Sequence, residues 1–551
     1  MTTILSWDGG LTLLAPLVAV GLALLTRRVV PSLGAAIVVG AVVAARGSIP
    51  TALAHIAEVI FEVTTSTDNL KVSAFSVLVA ATVGVMGASG GTAAMVARVE
   101  GLARGRRGAM AASWLAGGVV FFDDYANCLV VGGAMGPLCD RNRVSRAKLA
   151  YIVDATAAPI ASLAILSTWV GYEVSLLGEA LAGTGSSAAG FSVFLTALPY
   201  RFYCVLTLAF VGAIALSGRD FGPMYAAEAR QRASTSGVST SDVSGTQASI
   251  APTSAWLAVV PILALVGITF GGLWRSGWRA LGPDAVDPRL FEVLGAADAF
   301  QSMLDGSLAA LIVAGVLAVA SGSLRVGEVP RAAWSSIRTV AAALVVLYLA
   351  WTLGGIIKDT EAAGFIASGL QGWLPPALLP ALVFLLAVVT SFSTGSSFFT
   401  MGALIPLVIP LAVELGQGST SPILLASAAA VLDGAVLGDH ASPISDTTIL
   451  SSLGSRCDVV THVRTQLPYV LVVGLVALLM GTIPAGLGWS PWLGLGLGSL
   501  ACVGLVLSLG RVPPTDDRAT DDRATDDRAT DDRASPSSDP EPPLRSGALE
   551  L

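Results

Sequence analysis

Apolar runs, each near the length that crosses a bilayer as a helix, follow one another along most of this 551-residue chain. About 20 apolar residues span the hydrocarbon core as helix. Windows of that kind lie at roughly 9–26, 29–45, 71–90, 108–122, 125–140, 149–177, 193–216, 255–272, 307–323, 339–357, 374–390, 398–415, 422–438, 466–486 and 492–509. In lipid every backbone polar group needs a partner inside the protein, so such a chain folds as helices. Composition agrees, with 54% hydrophobic and only 13% charged residues. Several windows are short or interrupted, and about 10–13 crossings are expected. Arg27 and Arg28 follow the first window with no small-residue cleavage site, so it reads as a retained helix and not a signal peptide.

Two polar boxes interrupt the apolar sequence. The first is Phe121-Phe122-Asp123-Asp124-Tyr125-Ala126-Asn127, the second Ser391-Phe392-Ser393-Thr394-Gly395-Ser396-Ser397. Each precedes a Gly-Ala-x-x-Pro, at Gly133 to Pro137 and Gly402 to Pro406. The spacing matches: 137 − 124 and 406 − 393 both give 13. Ionisable groups at bilayer depth cost about 2.5 kcal/mol or more and mark ion or substrate paths. Interrupted helices at corresponding places in two halves point to a transporter binding site. A second pair of boxes strengthens the repeat. Asp154-Ala155-Thr156-Ala157-Ala158-Pro159-Ile160 matches Asp439-His440-Ala441-Ser442-Pro443-Ile444, each with an acid four or five residues before a proline. Proline frees an upstream carbonyl. Carbonyls, hydroxyls and carboxylates are oxygen ligands suited to a hard cation such as sodium.

Charge sets the expected topology. Arg98, Arg104, Arg106 and Arg107 form one basic cluster, and Arg141, Arg143, Arg146 and Lys148 another. Basic loops stay cytoplasmic, so the 33 residues between Arg107 and Arg141 enter and leave on one side. Two helices of about 16 residues reach about 24 Å each, short of the roughly 30 Å core. The segment reads as a re-entrant hairpin tipped by Asp123 and Asp124. The second hairpin, about 374–415, lies in a stretch from Lys358 to Arg456 that has no other Lys or Arg, so its tip is expected to enter from outside. The fold expected is an all-α polytopic membrane protein of two inverted repeats, each with a re-entrant hairpin and a broken helix.

The division expected is a first transmembrane repeat at 1–216, a polar flexible linker at 217–253, a second repeat at 254–512 and a disordered acidic tail at 513–551. Trp274 to Phe300 reads as a further connector, and Thr51 to Thr67 as an interfacial helix. The tail carries four Thr-Asp-Asp-Arg-Ala copies; from Thr515 on it holds 11 acidic and 5 basic residues. It therefore accounts for −6 of the −7 net charge, and charge argues for no nucleic-acid partner. The five cysteines are scattered without a CxxC and read as packing residues.

The boxes resemble those of the NhaC family of sodium/proton antiporters, within a larger ion-transporter superfamily. Phe122-Asp123-Asp124-Tyr125-x-Asn127-Cys128-Leu129 resembles the first-half motif, and Lys148 to Pro159 the segment after it. Thr394-Gly395-Ser396-Ser397 and Gly438-Asp439-His440-x-Ser442-Pro443-Ile444-Ser445-Asp446-Thr447-Thr448 resemble the second-half motifs. The resemblance covers roughly 70–510 and implies a multi-pass inner-membrane exchanger; relatives exchanging organic acids or amino acids leave the solute open. Phe398-Phe399 and the tail repeats depart from the family pattern.

The candidate ion- or substrate-binding residues are Asp123, Asp124, Asn127, Asp154, Thr156, Ser393, Thr394, Ser396, Ser397, Asp433, Asp439, His440, Ser442, Ser445, Asp446 and Thr447. Na+ at these same residues is the metal expected, with Na+ and H+ as transported ions and no cofactor. Asp123 and Asp124 also have a plainer role as caps of the following helix, and the hydroxyls of the second box as packing groups. Glu173, Lys358, Asp359 and Glu361 are expected near span ends, snorkelling to water. A buried carboxylate favours its proton, and a bound cation reverses that preference. One site then holds either ion but not both, which couples the fluxes. The alternative is sodium- or proton-coupled exchange of a small organic acid or amino acid, with His440 on its carboxylate. Partners expected are the lipid bilayer and these small solutes; a homodimer is compatible with the sequence. An intramembrane aspartyl protease is disfavoured, since Ala435-Val436-Leu437-Gly438-Asp439 lacks the first Gly of a Gly-x-Gly-Asp box. No repeated pore filter, P-loop or HExxH is present, which argues against a channel, ATP-driven transport and a zinc protease.

Overall fold

The computed structural model describes residues 10–513 except 27, 102, 185–188, 234–252, 283–292, 295, 361–364, 366–367, 369–374, 417 and 419–420. Among them the chain is helical, without a strand. The first half holds α1 (Leu14–Thr26), α2 (Val29–Ala44), α3 (Ile49–Thr65), α4 (Thr67–Ala88), α5 (Gly91–Glu100), α6 (Gly105–Val119), the single turn α7 (Asp124–Ala126), α8 (Gly132–Arg141), α9 (Arg146–Leu163), α10 (Val170–Ala182), α11 (Gly190–Ala197), α12 (Phe202–Ser217) and α13 (Gly222–Ala233). The second holds α14 (Trp256–Leu281), α15 (Ala299–Ala320), α16 (Val329–Asp359), α17 (Leu379–Thr394), α18 (Ser397–Gly416), α19 (Pro422–Ala441), α20 (Asp446–Ser455), α21 (Val459–Val476), α22 (Ile483–Gly486) and α23 (Pro491–Leu509).

Nine helices among the described residues are long and apolar enough to cross a membrane; the pair α11 and α12, bent by 45° at Arg201, makes a tenth if it is one span. α1 and α2 are apolar but shorter. Burial shows where the core lies. The apolar window of α19 is 89% buried, whereas those of α14 and α15 are 33% buried and that of α23 is 22%. The outer helices give their apolar faces to lipid, and α19 gives its whole circumference to protein.

Both expected turns are present. α6 stops at Val120 and the chain resumes at Asp124, with α6 and α8 packed together. Between α7 and α8, Asn127–Val131 forms a π-helical segment, a departure often found at functional places. In the second half Gly395, at φ +64°, turns α17 into α18. A Cβ there would sit 2.8 Å from Ile444, so the position needs glycine for both its conformation and its contact. α17 counted with the turn before it, and α18, are 19 and 20 residues long, enough to cross. The first hairpin is short as expected; the second is longer than a half-span.

Packing is reciprocal between halves. α20, which follows the break after α19, lies against α8, α9 and the π-helical segment. α10, which follows the break after α9, lies against α18. The two breaks differ, however. Pro443 lies in the non-helical stretch after α19, while Pro159 sits inside α9, which continues to Leu163 before breaking.

Three other expectations change. Of the linker expected at 217–253, Gly222–Ala233 is helix, packed on α9 and α21; residues 234–252 lie outside the described residues, as does the tail from 514. Asp220 and Glu228 from this stretch fix the base of the first hairpin. Asp220 pairs with Lys148, and Glu228 pairs with Arg106 and accepts from the Ser145 N–H at 2.9 Å. The connector expected from Trp274 begins only after Leu281. Glu173 lies in the first turn of α10 but does not snorkel to water, being fully buried. The four cysteines Cys128, Cys139, Cys204 and Cys502 are buried and free, as packing residues should be.

Candidate functional site

A helix that ends inside the membrane leaves carbonyls without partners. Asn127 supplies them in the first turn. Its amide donates to the carbonyls of Gly117 at 2.8 Å, Val120 at 3.1 Å and Thr156 at 3.3 Å. Thr156 itself bonds back to Ile152 and Val153 in its own helix, and packs close against Gly117. The two aspartates divide their work. Asp123 accepts the Ala126 N–H at 2.7 Å, the capping role. Asp124 Oδ2 is buried with no hydrogen-bond partner. Both acids, with Tyr125, Thr168, Tyr172 and Phe398, line a cavity of about 30 Å³, room for about two waters.

The second half joins this turn through Tyr125, whose hydroxyl donates to Asp446. Asp446 opens α20 and also accepts the Thr447 N–H at 2.9 Å. Neighbouring threonines then reach the two other acids. Thr447 Oγ1 donates to Asp439 Oδ2 at 3.0 Å, and Thr448 Oγ1 to Asp154 Oδ2 at 3.2 Å. Ser445 caps α20 and lies 3.1 Å from the Thr447 hydroxyl, while Ser442 accepts the Ile444 N–H in the break. Asp439 and Asp154, both buried, and Asp446, which is exposed, thus belong to one polar network drawn from α9, α19 and α20.

Asp154 is the most elaborately held of the acids. Gln466 Nε2 donates to its Oδ2 at 3.0 Å, and the Nε2 atoms of His440 and His462 each stand 3.7 Å from that oxygen. The far nitrogen of each ring meets a hydroxyl, His440 Nδ1 with Tyr203 at 2.9 Å and His462 Nδ1 with Ser452 at 2.7 Å. His440 is therefore hydrogen-bonded through Nδ1 alone, and its Nε2, like that of His462, is buried without a hydrogen bond.

Other expected site residues serve different ends. Asp433 lies apart from the network and is neutralised. It accepts from Arg201 Nε at 2.9 Å and from the Tyr203 N–H at 2.6 Å. Arg201 also bonds Ser162, whose hydroxyl reaches Glu173, and its Nη1 lies 3.5 Å from Glu173. The hydroxyls of the second turn are spent largely on packing. Ser391 and Ser397 both donate to the Ala435 carbonyl of α19, at 2.6 and 3.2 Å. Thr394 bonds back to Thr390, and Ser396 accepts the Phe399 N–H as a cap of α18. Ser393 is half-buried at the turn.

Among the buried oxygens left without a hydrogen bond, those at the site include Asp124 Oδ2, Asn127 Oδ1, Asp154 Oδ1, Asp439 Oδ1, Thr168 Oγ1 and Gln466 Oε1. Unpaired buried oxygens are the donor set a hard cation takes. No three His, Cys, Asp or Glu side chains among the described residues converge as a ready cage. The arrangement thus offers dispersed oxygens along a path in place of a closed coordination sphere.

Arg201, Tyr203, His462 and Gln466 were not singled out by sequence reasoning, which places Glu173 only near a span end. Arg201 had a signal, being a lone arginine inside the apolar window 193–216, where charge marks a special site. Gln466 and His462 open an apolar run and carry no distinguishing pattern.

The model of the Na+/H+ antiporter family matches residues 160–483, more than half of the chain. The chain belongs to the Na+/H+ antiporter family. An uncharacterized protein of Haemophilus influenzae is 30% identical over 503 residues, 90% of this chain and 94% of that one. Shorter matches include the arginine/ornithine antiporter ArcD of Halobacterium salinarum, 35% identical over 25% of this antiporter and 27% of that one. Another is the malate-2H(+)/Na(+)-lactate antiporter of Bacillus subtilis, 32% identical over 21% and 23%. Among solved structures the fold resembles the YdaH transporter of Alcanivorax borkumensis, with a TM-score of 0.52 at 18% identity over 78% of this chain and 91% of that one. MtrF of Neisseria gonorrhoeae gives 0.52 at 16% identity over 80% and 85%. The antiporter is a multi-pass membrane transporter with buried carboxylates at its centre.

Proposed function

We propose that this antiporter exchanges Na+ for H+ in the cell (inner) membrane, with Asp124, Asp154 and Asp439 as the carboxylates for which the two ions compete. The observation that carries the reading is the single network linking the exposed Asp446 to the buried Asp439 and Asp154 through Thr447 and Thr448, with one oxygen of each of Asp124, Asp154 and Asp439 left unpaired. The partners of Asp154, Asp439 and Asp446 are hydroxyls, an amide and imidazoles, so no Lys or Arg in their hydrogen bonds settles their charge.

In such surroundings a carboxylate without a counter-ion holds a proton, and a cation that supplies charge releases it. Asp124 and Asp439 present open oxygens to the arriving ion. Asp154, between two imidazoles and Gln466, passes a proton on or holds it. Asp123, Asn127, Ser445 and Thr156 hold the broken backbone in place. Asp433, tied to Arg201, clamps α19 to the start of α12. Reciprocal packing of each post-break helix on the other half's hairpin supports two repeats, 1–216 and 254–512, moving about the site.

A second reading is coupled exchange of a small organic acid or amino acid, favoured by the names of the Halobacterium and Bacillus relatives. His440, held through Nδ1 by Tyr203, has no hydrogen bond on Nε2, so this reading keeps a ring nitrogen for a solute carboxylate.

The test is proton movement in proteoliposomes, driven by sodium, lithium, potassium, malate, lactate or amino acids in turn. Sodium-driven proton release that disappears in Asp124→Asn supports the proposal. Proton movement with an organic solute and none with sodium alone replaces it with the second reading.

A further inference from the structure

Four helices that enclose the small cavity at Asp124 also line a much larger one. The first is bounded by Ser76 of α4, Tyr172 of α10, Val340 to Leu347 of α16 and Phe398 of α18. The second, about 620 Å³, is bounded by Asn69 of α4, Glu179 of α10, Trp351 to Lys358 of α16 and Pro406 to Glu414 of α18, with Glu62 of α3. Seven residues separate Ser76 from Asn69 and Tyr172 from Glu179, which is about 10 Å of helix. The two spaces are stacked along one path.

An aromatic layer closes the path between them. The Tyr172 hydroxyl donates to the Phe398 carbonyl at 2.5 Å. The Phe398 ring sits 4.8 Å from that of Tyr172 and 4.9 Å from that of Trp169. Gly402 lies so close to Ala350 and the Tyr172 hydroxyl that a Cβ would stand 2.7 and 2.9 Å from them. Trp351 is buried on the wide side and meets Tyr348 edge to face.

The end of the molecule that carries the chamber also follows from packing. Gly84 of α4 lies against Ala332 and Ser336 at the start of α16, so these helices are antiparallel. That end of α16 carries Arg331 and Arg338, and basic ends stay cytoplasmic. Asn69 and Lys358 therefore mark the opposite, outer end, and Asn69 holds Glu179 there at 3.2 Å. Glu62, Glu179 and Glu414 face Lys358 across the chamber, three acids to one base. A water needs about 10–15 Å³ of such space, so the chamber admits a hydrated ion and is not fitted to a bare one.

We infer that this chamber is an outer vestibule that collects hydrated monovalent cations, and that the Tyr172–Phe398 contact is the gate between it and Asp124. The identity of the cation rests on the proposed sodium exchange; the route and gate do not. Labelling tests the route in a Cys457→Ser background, since the other native cysteines are buried. Ala182→Cys, in the vestibule, is expected to react with an impermeant thiol reagent on intact cells. Ser76→Cys, in the inner cavity, is expected to stay unlabelled until Phe398→Ala opens the layer. Labelling of position 182 only from the cytoplasmic side, or equal labelling of position 76 with and without Phe398→Ala, overturns the route. The triple variant Glu62→Gln, Glu179→Gln and Glu414→Gln is expected to raise the sodium KM several-fold at low ionic strength, with Vmax kept and the effect lost at high salt. An unchanged KM overturns the cation-collecting role while leaving the labelled route standing.

Discussion

Removing Arg201 is the sharpest structural perturbation available. Its guanidinium is 1% exposed and serves two carboxylates, Asp433 at 2.9 Å and Glu173 at 3.5 Å, as well as Ser162. These groups come from α9, α10 and α19, and Arg201 itself stands at the bend before α12, so both halves of the chain are joined. Arg201→Met deletes the charge at similar length and strands two acids in the core. Breaking a buried ion pair by removing one partner costs about 3–5 kcal/mol. At about 2 °C per kcal/mol for a large domain, that lowers Tm by roughly 6–10 °C. The assay is thermal unfolding of the purified antiporter in detergent, compared with the triple variant Arg201→Met, Glu173→Gln and Asp433→Asn. Neutralising the stranded acids should restore most of the loss, because an uncharged, hydrogen-bonded network carries no large desolvation penalty. A single variant within about 1 °C of wild type, or a triple variant no more stable than the single, would refute the reasoning.

Three further outcomes follow from the same geometry. Asp124→Asn and Asp439→Asn should each abolish exchange while leaving membrane insertion and the size-exclusion profile intact; wild-type exchange by either at normal expression removes that residue from the site. Asn127→Ala leaves the carbonyls of Gly117, Val120 and Thr156 without their amide donor, and at about 1–3 kcal/mol per stranded group it should lower the melting temperature measurably; an unchanged melt would show that these carbonyls find other partners. Truncation after Pro514 should leave transport rate and melting temperature as they were, and a large loss of either would reveal a docked tail.

The turns were legible because they break strong patterns. Asp123-Asp124 and Ser393 to Ser397 stand out in apolar sequence, and the structure interrupts its helices at both. Asp439 and Asp154 were legible for the same reason, and a shared Thr447-Thr448 step joins them. Pro159 misled because a proline within a helix bends it and frees a carbonyl without having to end it, and α9 runs on to Leu163. Glu173 was placed near a span end because nothing local announces Arg201, 28 residues later, as its partner. The polar character of Ser217 to Thr253 hid α13, whose Glu228 is held by Arg106 and Ser145 from distant sequence. Polar segments fold when the partners that satisfy them lie elsewhere in the chain, and single-sequence patterns do not carry that information. The hydroxyls of the second turn looked like ion ligands by density, yet Ser391 and Ser397 share one carbonyl of α19.

Competition between the two ions is the centre of the account, and the pH dependence of sodium uptake tests it most directly. Initial rates of labelled sodium entry into proteoliposomes should be measured across sodium concentrations at several pH values. Cation ligands must be deprotonated to bind, so the apparent KM for sodium should rise on acidification, approaching tenfold per pH unit where one proton is displaced, with Vmax at saturating sodium unchanged. A KM that stays constant with pH while Vmax falls would mean that proton and sodium occupy separate sites, and would contradict the shared carboxylates.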